Sequence, residues 1–375
     1  MPVFIHCADL HLSAANTPGR IYGLAVLDEV MSLARDENAS AVLFCGDLFD
    51  SFGDIENAGL RKEFRDRIAT LPENCNVIFI AGNHEAHGGN GRSIKDYDLG
   101  RDVRVVEQSR EHPFQLVVIE GVEVLCIPHQ VSCDGYGDWA VPSRQTPVRI
   151  ALAHGLVAGM DIYTGPAEDE GEKAGVLDPD LFNRFEIAYA ALGHIHGRKE
   201  QKTGGTCLCY PGSARVFRKG ETGQHGVCVL RIDNGVKHEF RPLKSAGEFR
   251  IHDLALQLDG GCDDLEGISG KWRPEDWICL RLSGVVDDEN RVGELERRIR
   301  EKYECGSLVR RLDVDRSEVQ PLAGISSHPL AKEFLAEWKR RHDMEHGADE
   351  ELWMRARQIG LKELVGLIQQ SGGCG

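Results

Sequence analysis

Ala41-Val42-Leu43-Phe44-Cys45-Gly46-Asp47-Leu48-Phe49-Asp50 is an apolar run that stops at a glycine and turns at once into carboxylates. Five apolar residues ahead of such a stop read as a buried strand. The glycine lets the backbone bend sharply as it leaves the sheet. The same grammar recurs along the first half of the chain. Val3 to Ala8 runs into Asp9-Leu10-His11, and Val77 to Ala81 into Gly82-Asn83-His84-Glu85. Val148 to Ala153 runs into His154-Gly155, and Ile187 to Leu192 into Gly193-His194-Ile195-His196. Helical stretches separate the early strands: Tyr22 to Ala34, with Leu24, Leu27, Val30 and Leu33 at helical spacing, and the charged Ile55 to Leu71. Strands alternating with amphipathic helices predict a layered α/β domain, whose ligand crevice lies at the strand ends.

Further strands are expected at Val103 to Val106, Thr206 to Tyr210, Gly226 to Ile232 and Lys237 to Pro242. A hairpin turns at Glu120-Gly121 between Phe114 to Ile119 and Val122 to Ile127. Around Lys244 to Gly247 the pattern changes. Phe249 to Asp315 reads as a small α/β unit, with strands at its start, at Trp277 to Leu282 and at Leu308 to Val314, and a helix at Arg291 to Tyr303. Gln320 to Pro329 reads as a linker. Two amphipathic helices follow, Leu330 to Arg341 and Glu350 to Gln369. The expected division is 1–244, 245–319 and 320–375.

The chain has 375 residues, 41% hydrophobic and 28% charged, enough for two or three domains and against a disordered chain. No apolar run reaches the roughly 18 residues of a membrane span. The opening Val3-Phe4-Ile5-His6-Cys7 has no basic flank or long apolar stretch, which predicts a cytoplasmic location. The twelve cysteines are scattered and expected to be reduced. Cys207 and Cys209 would share one side of a strand but lack the second pair of a zinc site. A net charge of −16 argues against a generally basic, nucleic-acid-wrapping surface.

Residues two apart in extended chain point to one side, so Asp9 with His11, and His194 with His196, can each offer two groups to one site. Carboxylates, an amide and imidazoles together suit Mn, Fe or Zn. Two dications against the charges of Asp9 and Asp47 leave +2, which attracts a phosphate. The residues alone therefore point to phosphoester hydrolysis by a two-metal-activated hydroxide.

The order Asp-x-His, Gly-Asp-x-x-Asp, Gly-Asn-His-Glu, His-Gly, Gly-His-x-His resembles the calcineurin-like metallophosphoesterases across residues 3–242. That resemblance implies a two-sheet sandwich flanked by helices, with a small α/β capping domain and a C-terminal helical pair. It implies Asp9, His11, Asp47 and His196 as ligands of one metal. Asp47, Asn83, His154 and His194 would hold the other, Asp47 bridging. His84 would face the scissile phosphate, with Asp50 orienting it. His6-Cys7-Ala8-Asp9-Leu10-His11-Leu12, Gly46 to Asp50 and Tyr210-Pro211-Gly212-Ser213 resemble the SbcD-type DNA-repair nucleases. Gly220 to Val227 resembles their YhaO-like bacterial subgroup. Glu85 stands where those nucleases usually have Asp and phosphoprotein phosphatases have Glu, yet the phosphatase motifs Gly-Asp-x-His-Gly and Asp-Arg-Gly are missing.

The resemblance further implies two divalent ions, most often Mn²⁺, with Fe or Zn as the other options. It implies DNA as substrate, a homodimer through the nuclease domain and an SbcC-like SMC-type ATPase held by the C-terminal helices. Arg215, Arg218 and Lys219 are candidate DNA contacts, with Arg20, Arg61 and Lys62 behind them. A phosphatase or cyclic-nucleotide phosphodiesterase, and a mainly architectural subunit, are the alternatives. His6, His112, His238, His252 and His328 are expected as ordinary structural histidines; His87 and His129 stand between the two roles. Cys7 and Cys45 are expected to pack below the metals. Phe334, Leu335, Trp338, Leu352, Trp353, Ala356 and Ile359 form helical apolar stripes suited to a partner groove. Gly267 to Trp272 has the wrong spacing for a phosphate-binding loop.

Overall fold

The opening strand β1 (Val3–Cys7) is buried at every residue, as a strand covered on both faces must be. The computed structural model describes residues 1–15, 18–85, 92–100, 102–107, 113–129, 139–160, 175–262, 265–306, 308–326, 328–344 and 350–372. His87 and His112 lie outside these. The chain divides into two compact units, Met1–Glu248 and Phe249–Gly375.

After β1 come α1 (Pro18–Asp36), β2 (Ala41–Cys45), α2 (Phe52–Glu56), α3 (Ala58–Ile68), β3 (Asn76–Ile80) and β4 (Val103–Val106). The expected single helix Ile55 to Leu71 is two helices. Asn57 breaks it, because its extended backbone ends α2 while its side chain accepts from Leu60 N–H to cap α3. β5 (Gln115–Ile119) and β6 (Val122–Ile127) form the hairpin, with Glu120 and Gly121 both at positive φ, as a tight two-residue turn requires. Next are β7 (Val148–His154), β8 (Leu156–Val157), β9 (Val176–Leu177), α4 (Pro179–Arg184) and β10 (Tyr189–Gly193). β11 (Lys199–Thr203), β12 (Thr206–Tyr210), β13 (Gly226–Ile232) and β14 (Val236–Pro242) complete the unit. The sequence reading missed β11, whose Lys-Glu-Gln-Lys-Thr carries no apolar pattern because it is an edge strand.

Two six-stranded sheets result, in the orders β14-β13-β1-β2-β3-β4 and β11-β12-β10-β7-β6-β5. Their facing sides share a core that includes Phe4, Leu43, Ile80, Ile150, Leu152 and Tyr189. α1 and α3 cover the outer side of the first sheet with Val26, Leu27, Val30 and Phe64, and α4 covers the second with Leu181 and Phe182. β1, β2 and β3 run parallel, as do β6, β7 and β10, so within each sheet the candidate residues leave at one edge. The structure is thus the mixed α/β, two-sheet fold expected.

The second unit has a parallel sheet β15-β16-β17, formed by β15 (Phe249–Ala255), β16 (Trp277–Val286) and β17 (Arg311–Pro321). α5 (Leu265–Ser269) and α6 (Glu289–Ile299) lie between its strands. The stretch read as a linker contains the end of β17 and α7 (Leu322–Ser326). α8 (Pro329–Met344) and α9 (Glu350–Gly372) follow. Leu361 of α9 is fully buried with Leu258 and Val285, which docks that helix on its own sheet. Trp338 donates from Nε1 to the Trp353 carbonyl (3.1 Å), and the two half-buried rings meet edge to face, so these tryptophans help to close the hairpin. Among the described residues no helix is long and apolar enough to cross a membrane.

Candidate metal centre

The loops after β1 and β2 are laced together: His11 N–H donates to the Asp47 carbonyl (2.9 Å) and Leu12 N–H to that of Leu48 (2.8 Å). Asp9, His11, Asp47 and His194 all have positive φ, between 47° and 102°. Such left-handed backbone is costly for residues with a side chain and concentrates at functional sites. Two glycines make room. A Cβ on Gly46 (φ 82°) would strike the His154 ring, and one on Gly82 would strike the Asp47 carboxylate.

The side chains converge in two groups. One ligand atom from each of Asp9, His11 and His196 lies within 4.8 Å of the other two, and the same holds for Asp47, His154 and His194. Asn83 ties the second group together, its Oδ1 lying 2.9 Å from His154 Nε2 and 3.1 Å from His194 Nδ1. Every one of the seven expected ligands is therefore in the cluster. Asp47 is felt by both groups: its charge opposes ionisation of Asp9 and favours a proton on His11.

Hydrogen bonds set which ring nitrogens face inward. His154 Nδ1 donates to the Cys45 carbonyl (2.7 Å), leaving Nε2 toward Asn83 and Asp47. Burial resists a proton there, yet the Asp47 and Asp9 carboxylates outweigh it and raise His154 to about 9. A proton stands where a cation fits. His196 Nδ1 is held by the Glu221 carboxylate, so its Nε2 meets His11 Nε2 at 3.1 Å. Two facing imidazole nitrogens can share one proton, or both can donate lone pairs to a cation. Burial keeps His11 near 4 and, with the Asp47 charge, lifts Asp9 to about 6. Two carboxylates, one amide and four imidazoles form a donor set for divalent ions.

Asp50 and His84 stand beside this cluster. His84 Nδ1 donates to the Asp50 main-chain carbonyl (2.6 Å), whereas the Asp50 carboxylate lies 3.9 Å from His84 and 3.5 Å from His11 Nδ1. Asp50 thus holds His84 through its backbone and turns its charge toward His11.

Other supporting residues escaped the sequence reading. Glu85 accepts from the N–H groups of Asp47 (3.0 Å), Phe49 (2.8 Å) and Gly82 (2.8 Å), pinning two strand-end loops together. Burial and the Asp47 charge push its carboxyl up to about 8. Its place as a family marker was visible, its reach was not. Glu221 has the His-facing role just described, and burial alone would raise it, but His196 brings it down to about 2. Phe217 stacks on His11, with ring centroids 4.1 Å apart.

Arg215 requires a correction. It is 5% exposed, with Nε donating to the Leu10 carbonyl (2.6 Å) and a second nitrogen to that of His11. It braces the first loop from inside, since a buried guanidinium spends its donors on nearby carbonyls. Arg218 is half-buried beside the Phe217 ring, and Lys219 is exposed. Arg20 is paired with Glu63 and Lys62 with Asp66, while Arg61 donates to the Ile55 carbonyl. Cys7 and Cys45 are buried in the sheet, and burial raises both thiols above their usual range. His6 is a satisfied core group, bonded to the Tyr189 hydroxyl and the Leu192 carbonyl. His129 is buried with its ring 6.2 Å from that of His154.

The family profile described as calcineurin-like phosphoesterase matches residues 2–198. The chain is 27% identical over 272 residues to the uncharacterized metallophosphoesterase YhaO of Bacillus subtilis, covering 67% of this chain and 60% of that one. It is 24% identical over 252 residues to the SbcD component of the nuclease SbcCD of the same organism, covering 58% of this chain and 63% of that one. The match thus spans about three-fifths of each of these relatives. A dimetal phosphatase from Danio rerio aligns at 10% identity with a TM-score of 0.41, over 64% of this chain and 96% of that one.

Proposed function

The chain belongs to the calcineurin-like phosphoesterase family, whose members are metal-dependent phosphoester hydrolases, and from that premise we propose that it is a DNA nuclease of the SbcD type. The observation that carries this reading is the alignment with the SbcD component of the nuclease SbcCD over 252 residues. The convergent Asp/Asn/His cluster is the chemistry that reading needs.

Asp9, His11, Asp47 and His196 would hold one divalent ion, and Asp47, Asn83, His154 and His194 the other. Bound there, the ions would supply Lewis acidity and a water of lowered pKa as nucleophile. Asp47 brings a carboxylate to both positions. His84, with Nδ1–H committed to the Asp50 carbonyl, presents Nε2 to the phosphate; as the doubly protonated imidazolium it would give the Nε2 proton to the leaving oxygen and be left neutral. Glu85 and Arg215 hold the loops that carry these groups. Glu221 and the Cys45 carbonyl fix the tautomers of His196 and His154.

The same reading extends to Mn²⁺ as the working ion, to a homodimer through the first unit and to cytoplasmic work at DNA ends. Residues 1–244 form the nuclease domain, 245–319 the capping domain and 320–375 the partner-docking pair. Exposed Leu352, Ile359 and Leu367 of α9, with Leu330 and Met344 of α8, are side chains available to an SbcC-like ATPase. One observation favours a second reading, a phosphatase or phosphodiesterase of small phosphoesters. With Arg215 turned inward and a net charge of −16, Arg218 and Lys219 are left as the DNA contacts of that loop.

The test is end-labelled single- and double-stranded DNA with Mn²⁺, wild type beside Asp47→Asn. Cleavage by wild type alone is expected. Mutant-sensitive hydrolysis of a small phosphodiester with intact DNA, with and without an SbcC-like ATPase, moves the assignment to the second reading.

A further inference from the structure

A second set of metal-binding atoms sits at the edge of the layer between the two sheets. Glu200 on β11, Cys207 on β12 and His238 on β14 come from three strands of two sheets, and one ligand atom from each lies within 4.8 Å of the other two. His238 Nε2 is 3.1 Å from Glu200 Oε2, and Cys207 Sγ is 3.7 Å from Glu200 Oε1. Metal–ligand bonds of about 2.0–2.3 Å in a tetrahedron separate neighbouring ligand atoms by roughly 3.3–3.6 Å, close to what these pairs already show. Glu200 is exposed, and Cys207 and His238 are half-buried, so an ion has a path in.

A thiolate, an imidazole and a carboxylate are the donors Zn²⁺ takes, and three protein ligands leave its fourth position to water. Charge also closes: +2 against one carboxylate and one thiolate is zero. Burial and the Glu200 charge hold the Cys207 thiol up near 12, so binding must expel its proton. Cys207 S–H gives H⁺ to solvent as the S–Zn bond forms, and no electrons change hands. The neighbouring His6, Cys209 and Cys228 also approach one another, but all three are buried and both ring nitrogens of His6 are committed. That inner group is polar core; the outer one faces water.

We propose that Glu200, Cys207 and His238 form a Zn²⁺ site that fastens the edge strands of the two sheets, apart from the candidate centre. The sequence showed only Cys207 and Cys209 without a second pair; the partners arrive from β11 and β14.

Because the ligand set of the candidate centre contains no thiol, cobalt distinguishes the two. The full chain is stripped with a chelator and titrated with Co²⁺, and the thiolate-to-cobalt charge-transfer absorption is recorded in the near ultraviolet. The expected band reaches the amplitude of one thiolate-bound Co²⁺ per chain in wild type and in Asp47→Asn, whatever further equivalents the candidate centre takes up, and Zn²⁺ competes it away. Cys207→Ser abolishes it, while Cys209→Ser retains it. His238→Ala, which spares the thiol and the strand, weakens Co²⁺ binding by more than about tenfold, since even outer-shell losses cost about 10–100-fold. A wild type without the band, a band that survives Cys207→Ser, or unchanged affinity in His238→Ala overturns the proposal.

Discussion

In the crevice at the strand ends of the first unit, polar groups are buried: Asp9, His11, Asp47, His154 and His196 are each less than a tenth exposed. In the helical hairpin that closes the second unit, apolar groups are exposed: Leu352 is 65% exposed, Ile359 57% and Leu367 56%. Each region inverts the usual sorting of side chains, and each inversion costs stability. In the crevice the cost is visible as left-handed backbone at four candidate residues and as carboxyls lifted by burial. Backbone N–H donors, and divalent ions when bound, offset it there. On the hairpin a covering partner would supply the compensation. Under the proposed function the two departures from ordinary packing have different uses, chemistry in the crevice and a docking surface on the hairpin.

Substitutions can break that comparison, beginning with the most damaging. Asp47→Asn removes the carboxylate felt by both ligand groups and should lower phosphodiester turnover at least about 10³-fold, roughly 4 kcal/mol of barrier, in a steady-state assay. Chelation should do the same, with Mn²⁺ restoring wild type alone. Leu361→Ala opens a cavity under α9 and should cost about 3 kcal/mol in the denaturant unfolding of the second unit, leaving turnover untouched. Lost turnover in that variant would erase the distinction between the regions.

His84→Ala should slow turnover about a hundredfold while metal content by elemental analysis stays at wild type, because His84 handles a proton rather than an ion. Glu221→Gln should loosen Mn²⁺ by about tenfold in calorimetry. Glu221 sits near 2 when folded, below its ordinary 4.5. Its stabilisation is therefore present above pH 4.5 and lost as pH falls toward 2, and the Gln variant should show a flatter acid-unfolding curve across that window. The smallest effect belongs to Leu352→Ala, expected within about 0.5 kcal/mol of wild type in unfolding. Leu352→Glu with Ile359→Glu should keep turnover and release an SbcC-like ATPase in size-exclusion chromatography.

How far each part could be read in advance follows from locality. β1, β2, β3, β7 and β10 were legible because buried strands write near-continuous apolar runs, and the seven expected ligands because each lies within a few residues of the end of such a run. β11 was not legible, since an edge strand need not be apolar, and the break at Asn57 was hidden within helix-compatible residues. Arg215 looked like a surface cation beside a turn. Its burial depends on the carbonyls of Leu10 and His11, some two hundred positions earlier.

By itself, then, the sequence determined the alternation of strands and helices, the order of the Asp, Asn and His motifs and hence the family chemistry. These are encoded by neighbours within a few residues and by the period of the chain. Tertiary structure alone decided that Glu85 ties two loops, that Glu221 orients His196, that Arg215 faces inward and that Cys207 meets Glu200 and His238. Most of those pairings join residues on different strands or loops, from seven to about two hundred positions apart, and such distances are fixed only once the strands have paired and the two six-stranded sheets have packed.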